Sequence, residues 1–248
     1  MEQLTKQQTG FLTGKKAVIL GGSSGIGLAT AKAAAAEGGE IIIISSNQKR
    51  IDNALNQLPQ GSQGYAVDLT DEQQVKAIFA KLGNFDHLVY TAGESLQLVN
   101  LEDAVINDAK KFFDLRYWGA FTAVKYASPN INKGGSITLT GGVASLRPGK
   151  GWSLGASICA AMEGFMRAMA IELAPVRVNL VSPGVVKTNL WNDMADEQRE
   201  SFYKGTANSL PVQYVGEAED IAKTYLYLIN QQYSTGQMVV VDGGWVLV

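Results

Sequence analysis

Gly21-Gly22-Ser23-Ser24-Gly25-Ile26-Gly27 follows a short apolar run and opens an alanine-rich segment from Leu28 to Glu37. This spacing suits anion chemistry. Gly21 allows a sharp turn, Gly25 lets backbone approach a pyrophosphate, and Gly27 permits close packing of a helix on a strand. The first N–H groups of that helix would then face the phosphates. A glycine triplet also fits a plain strand-to-helix turn, but its place between an apolar strand and a helix favours dinucleotide binding through Gly21, Ser23, Ser24, Gly25, Ile26 and Gly27.

Ser45 and Ser46 close the next apolar run and are followed by Asn47, Lys49 and Arg50. A carboxylate at this place would bond both ribose hydroxyls and repel a 2′-phosphate. Two hydroxyls, no carboxylate and two nearby cations favour NADP(H) over NAD(H). The plain alternative puts Lys49 and Arg50 on the solvated face of the next helix.

Composition narrows the remaining chemistry. The 248 residues carry 21 Lys+Arg against 23 Asp+Glu, a net charge of −2, and no Lys/Arg-dense segment, which argues against nucleic acid as a partner. A single cysteine, Cys159, and a single histidine, His87, leave no intrachain disulfide and no His- or Cys-cluster metal site. The polar N-terminus has no signal-peptide core, and the apolar runs are of strand length, so the expectation is a cytoplasmic chain that neither spans nor binds a membrane.

Short Val/Ile/Leu-rich runs alternate with segments of helical period, the pattern of a parallel sheet covered on both faces. Strands are expected near Lys16 to Leu20, Glu40 to Ile44, Tyr65 to Val67, His87 to Tyr90, Ser136 to Thr140, Arg177 to Val181 and Gln237 to Val241. Helices should begin near Gly25, Lys49, Asp71, Asp103, Trp152 and Glu217. Right-handed crossovers then give an α/β fold: a Rossmann-type, doubly wound parallel sheet of about seven strands in a three-layer sandwich, with residues 1–248 as one domain. From about 188 to 215 the rhythm breaks in a polar stretch that holds Trp191, Phe202 and Tyr203. Such an insertion reads as a lid over a ligand, or else as a surface excursion against another subunit.

With these features the chain resembles the short-chain dehydrogenases/reductases, whose glycine motif is Gly-x-x-x-Gly-x-Gly. The likeness covers nearly the whole chain. Asp68-Leu69 resembles the family's adenine-contacting pair and Ala92-Gly93 the end of its Asn-Asn-Ala-Gly motif, while Tyr90-Thr91 stands where the two asparagines would be. Pro183-Gly184, with Val186 and Thr188, resembles the segment that holds the nicotinamide carboxamide, and Gly236-Gln237 to Asp242-Gly243-Gly244 the terminal strand and turn. The resemblance implies a homodimer or homotetramer whose long helices, near Asp103 to Ala127 and Trp152 to Leu173, pair across two-fold axes; Ala160, Ala161, Gly164 and Ala168 would allow close packing.

The family's catalytic Asn, Ser, Tyr and Lys have no evident counterparts. The resemblance places Arg116 at the Asn position, Gly142 (or Gly141) at the Ser position, and Leu154 and Ile158 at the Tyr and Lys positions, four apart on one helix. Neither of the last two can carry a proton or a charge, so the active site looks degenerate and its catalytic residues unknown. Arg116 could supply the missing cation and stabilise an oxyanion without acting as an acid, or could form a structural salt bridge with Asp114 or Glu163. Tyr90, Tyr117 and Tyr203 are phenols more simply read as core or lid. Ser153, Ser157 and Cys159 lack a base, since His87 opens a distant strand.

Two functions follow from this. One is an NADP(H)-dependent oxidoreductase acting on a small apolar carbonyl or hydroxyl compound, with Leu154, Ile158, Trp152 and Trp191 forming an apolar pocket. The other is an inactive nucleotide-binding sensor, carrier or partner subunit. A positioned acid contributes about 10²- to 10⁴-fold, so its loss slows carbonyl reduction without preventing it.

Overall fold

The computed structural model describes residues 10–96 and 98–248. Each apolar run becomes a strand and most of the intervening segments become helices. In chain order these are β1 (Lys16–Leu20), α1 (Gly25–Ala36), β2 (Glu40–Ser45), α2 (Gln48–Leu55), β3 (Gln63–Ala66), α3 (Glu72–Leu82) and β4 (Phe85–Tyr90). The chain continues through α4 (Ile106–Phe113), α5 (Ala120–Ala127), β5 (Ile131–Thr140), α6 (Ser153–Glu172), β6 (Arg177–Pro183) and β7 (Val186–Lys187). It ends with α7 (Asp196–Ser209), β8 (Gly216–Glu217), α8 (Ala218–Asn230) and β9 (Met238–Val241).

Seven strands form one parallel sheet in the order β3-β2-β1-β4-β5-β6-β9. The four consecutive isoleucines of β2, Ile41 to Ile44, are all buried, as β-branched residues in a strand covered on both faces should be. One core, around Phe79, Phe112, Val124, Met162 and Met166, packs α3 to α6 on one face. The other, around Ala31, Ile51, Ile221 and Tyr225, packs α1, α2 and α8 on the opposite face. The strand order reverses between β1 and β4, and a crevice opens beyond the carboxyl ends of the strands at that switch point.

Local chemistry sets the helix starts. Asn47 caps α2 by accepting from the Arg50 N–H at 2.9 Å, and Asp71 caps α3 by accepting from Gln73 and Gln74 N–H. Helices expected at Lys49 and Asp71 therefore begin at Gln48 and Glu72.

Three expectations need correction. The helix expected from Asp103 to Ala127 is broken: a short 3₁₀ turn at Leu101–Asp103 precedes α4, and a π-helical turn at Asp114–Gly119 separates α4 from α5. The stretch 188–215 contains a helix of its own, α7, and the two-residue strands β7 and β8 pair in parallel at its base, closing it into a flap. Within it Trp191, Tyr203 and Val215 form a separate small core, with the Trp191 Nε1–H donating to the Val186 carbonyl at 3.0 Å. Finally, α6 is long and apolar enough, by length and composition, to cross a membrane. Here its Ile158, Met162, Phe165 and Met166 are buried in the core beside the sheet.

Candidate functional site

At the carboxyl ends of the strands lies a cleft of about 750 Å³. Gly21 turns the chain out of β1 with φ at +82°, and a Cβ there would meet the Ala92 backbone nitrogen at 2.6 Å, so only glycine fits. A Cβ on Gly27 would lie 2.3 Å from the Gly21 carbonyl oxygen, which is the close packing that its place in the motif implies. Ser24 caps α1 without any side-chain bond, leaving the first-turn N–H groups for a ligand. Facing them, Thr188 approaches to 3.4 Å of where a Gly25 Cβ would be.

All sixteen residues expected to hold a dinucleotide line this one cleft, from Gly21 through Ser45, Ser46, Asp68, Leu69, Ala92 and Gly93 to Pro183, Gly184, Val186 and Thr188. The Ser23 hydroxyl donates to Ser45 Oγ at 2.8 Å, tying the glycine turn to the end of β2. Of the two nearby cations, Arg50 lines the cleft and Lys49 does not. The Gly184 N–H donates to the Val241 carbonyl at 3.0 Å, anchoring the far wall to β9.

Arg116 occupies the π-helical turn between α4 and α5. π-turns of this kind are frequent at functional sites. Here the turn brings the Leu115 carbonyl onto the buried Tyr90 hydroxyl, which donates to it at 2.5 Å. The Arg116 guanidinium packs 5.0 Å from the centre of the Phe112 ring and donates through Nη2 to the Glu94 carbonyl. A Cβ on Gly93 would come to 2.9 Å of Nη1, so the guanidinium lies flat against bare backbone. Its Nε has no hydrogen-bond partner. Among the described residues no carboxylate pairs with it: Glu163 instead accepts from Ser145 Oγ at 2.5 Å and pairs with Arg167 at 3.3 Å. The expected salt bridge to Asp114 or Glu163 is absent among these residues. Burial lowers the Arg116 pKa and nearby Cys159 and Glu94 oppose this, yet a guanidinium stays charged.

A family model described as "Enoyl-(Acyl carrier protein) reductase" matches residues 21–246. Short-chain dehydrogenase/reductase ucsE of Acremonium sp is 33% identical over 249 residues, covering 93% of this chain and 94% of its own. The chain belongs to the short-chain dehydrogenase/reductase family. Carbonyl reductase family member 4 of Danio rerio is 30% identical, covering 92% of this chain and 96% of its own. A solved small-chain dehydrogenase in complex with NADPH is 35% identical with a TM-score of 0.81, covering 94% of this chain and 99% of that one.

Against the short-chain dehydrogenase/reductase pattern, the register expected on α6 shifts by one residue. Leu154 packs against the core and does not line the cleft; Gly155, Ile158 and Cys159 do. Each helical residue rotates the side chain by about 100°, so the pair four apart that faces the cleft is Gly155 and Cys159. Leu154 is thereby turned onto the core. A Cβ on Gly155 would meet nothing within 4 Å, and one on Gly142 would meet Cys159 Sγ at 3.1 Å and the Pro183 carbonyl oxygen at 3.9 Å. Gly142 and Gly155 thus leave room in the cleft that Arg116 also lines.

Burial pushes the Cys159 thiol up to about 11, against the nearby Arg116 charge and backbone hydrogen bonds from Ser145 and Ala144. It is protonated at neutral pH. Among the phenols, Tyr117 packs edge-on to Trp118 and Phe165, Tyr203 lies in the flap core, and Tyr90 is committed to Leu115. His87 lies in the sheet with Nδ1 2.9 Å from Ser136 Oγ, outside the cleft lining.

Of the four residues expected to form an apolar pocket, Trp152, Ile158 and Trp191 line the cleft and Leu154 does not. Trp245 lines it too, and no sequence pattern singled it out. Gly243 and Gly244, with φ of +65° and +93°, turn the chain back after β9, and Arg147 Nη1 donates to the Trp245 carbonyl at 2.6 Å. The paired glycines just before an aromatic were the available signal.

Proposed function

We propose that this chain is an NADP(H)-dependent reductase of a small apolar carbonyl compound, or its reverse on the alcohol, working through an atypical site in which Arg116 supplies the cation that the family takes from its lysine and no side chain replaces the acid of its tyrosine. One observation carries the reading: a guanidinium with no carboxylate partner among the described residues lines the same cleft as the glycine turn and as the bare positions Gly142 and Gly155.

The residues present fit the cofactor. First-turn N–H groups of α1 suit a pyrophosphate, and Ser45, Ser46 and Arg50 suit a 2′-phosphate. The NADPH complex of a 35% identical protein supports the choice. The bound nicotinamide supplies a hydride. The chain's own part is to orient it with the Pro183 to Thr188 segment, to exclude water with Trp152, Trp191 and Trp245, and to hold the developing oxygen charge with Arg116. We read residues 188–215 as the lid over the substrate end of a single dinucleotide-binding domain, in a homodimer or homotetramer.

Quenching of tryptophan fluorescence by NADPH tests cofactor binding, and NADPH consumption with ketones, enones and quinones tests the chemistry. Turnover of at least one carbonyl class is expected. Tight NADPH binding without turnover across the panel would favour a sensor or partner subunit, and no binding at millimolar NADPH would overturn both.

A further inference from the structure

Resting on the reductase reading above, we infer that the substrate is a conjugated carbonyl compound, an enone or quinone, and that Arg116 receives the delocalised oxyanion formed when hydride adds to it.

The argument begins with what the cleft lacks. Hydride addition to an isolated ketone leaves a localised alkoxide, about as basic as hydroxide, which needs a proton as it forms. Of the residues that line the cleft with Arg116, Tyr90 has its hydroxyl committed to the Leu115 carbonyl, and Gly142 and Gly155 bring no side chain. Among the described residues, no other phenol and no lysine lines the cleft. A conjugated acceptor removes that need. Its β-carbon takes the hydride and the carbon–carbon π pair moves to the carbonyl side. The carbonyl π pair then settles on oxygen as an enolate or phenolate, whose conjugate acid lies near the phenolic value of about 10 rather than the alcoholic one. Such an anion persists beside a fixed cation and takes its proton from water afterwards. Overall, the acceptor gains hydride and a solvent proton while NADPH becomes NADP⁺, so atoms and electrons balance.

Three further features fit. Arg116 is held by the Glu94 carbonyl and the Phe112 ring, and among the described residues no carboxylate lies within ion-pair distance of it. Gly142 and Gly155 leave space in a cleft that Trp152 and Trp245 also line, a slot that suits a flat ring. Cys159, the one thiol in that slot, is held protonated, which suppresses its addition to the same electrophile.

The probe is p-nitrophenol, whose coloured phenolate imitates the product anion. In protein saturated with NADP⁺, its apparent ionisation constant should rise about tenfold on binding, and this rise should be lost in Arg116→Met and partly kept in Arg116→Lys. In parallel, 2-cyclohexenone and a benzoquinone should be reduced at least about 10²-fold more efficiently than cyclohexanone, with crotonyl thioester as the open-chain arm. NADPH titration of each variant establishes that the fold and the cofactor site survive. If NADPH binds and carbonyls are reduced but wild-type protein leaves the phenol's ionisation unchanged, or reduces cyclohexanone as fast as cyclohexenone, the inference fails while the reductase reading stands. If NADPH does not bind, both fail.

Discussion

Gly142 and Cys159 meet at the floor of the cleft: a Cβ on residue 142 would lie 3.1 Å from the cysteine sulfur. That is tighter than ordinary carbon–sulfur contact. Gly142→Ala should therefore cost about 1 kcal/mol in urea unfolding, and most of that cost should vanish in the Cys159→Ala background. Equal costs in both backgrounds would show that the two positions do not touch.

On the proposed reading, a Tyr/Lys proton relay has to be installed at the cleft-facing positions of α6. Gly155→Tyr with Cys159→Lys should raise reduction of a simple ketone by up to about 10²- to 10⁴-fold, measured as kcat/KM. Leu154→Tyr with Ile158→Lys should give no gain. Because Ile158 is 5% exposed and packed in the core, the lysine there should also lower stability by several kcal/mol. A gain from the second pair and none from the first would contradict the helix rotation described above.

Ser45 and Arg50 line the cleft, and the segment from one to the other carries no carboxylate. Ser45→Asp with Arg50→Glu should weaken NADPH binding at least about tenfold, roughly the 1.4 kcal/mol expected of one charge contact, and improve NADH relative to it. Calorimetric titration with both cofactors decides this. An unchanged preference would place the 2′-phosphate elsewhere.

His87 is buried with Ser136 as partner, and burial holds its pKa down at about 4 against an ordinary 6.5. The unfolded chain therefore binds a proton more readily than the folded one between these values. The stability contributed by keeping His87 neutral is complete above about pH 6.5 and is lost as pH falls toward 4, to a total of about 3 kcal/mol. In His87→Gln the fall in unfolding free energy between pH 6.5 and 4 should be shallower than in wild type. An identical slope would assign the acid sensitivity to other groups.

Cys159 offers a report on its neighbour. With the thiol at about 11, alkylation by iodoacetamide should be slow at pH 8 and climb steadily toward pH 11. Arg116 lowers that value, so Arg116→Met should shift the rise to still higher pH. A shift in the opposite direction would separate the two groups.

The amino-acid sequence by itself determined the layered sheet, the glycine turn and the absence of an acidic residue after β2. Each of these is a local property: runs of β-branched residues, a spacing of three glycines and the identity of Ser45 and Ser46 do not depend on distant contacts. It also implied that the usual tyrosine and lysine were missing, but Leu154 and Gly155 are adjacent, and only the packing of α6 against the sheet decides which of them faces the cleft. Tertiary structure alone set the π-turn that carries Arg116, left it without a carboxylate partner among the described residues, and brought Trp245 into the lining of the cleft. Those outcomes depend on contacts between residues far apart in sequence, where burial and steric fit override local pattern.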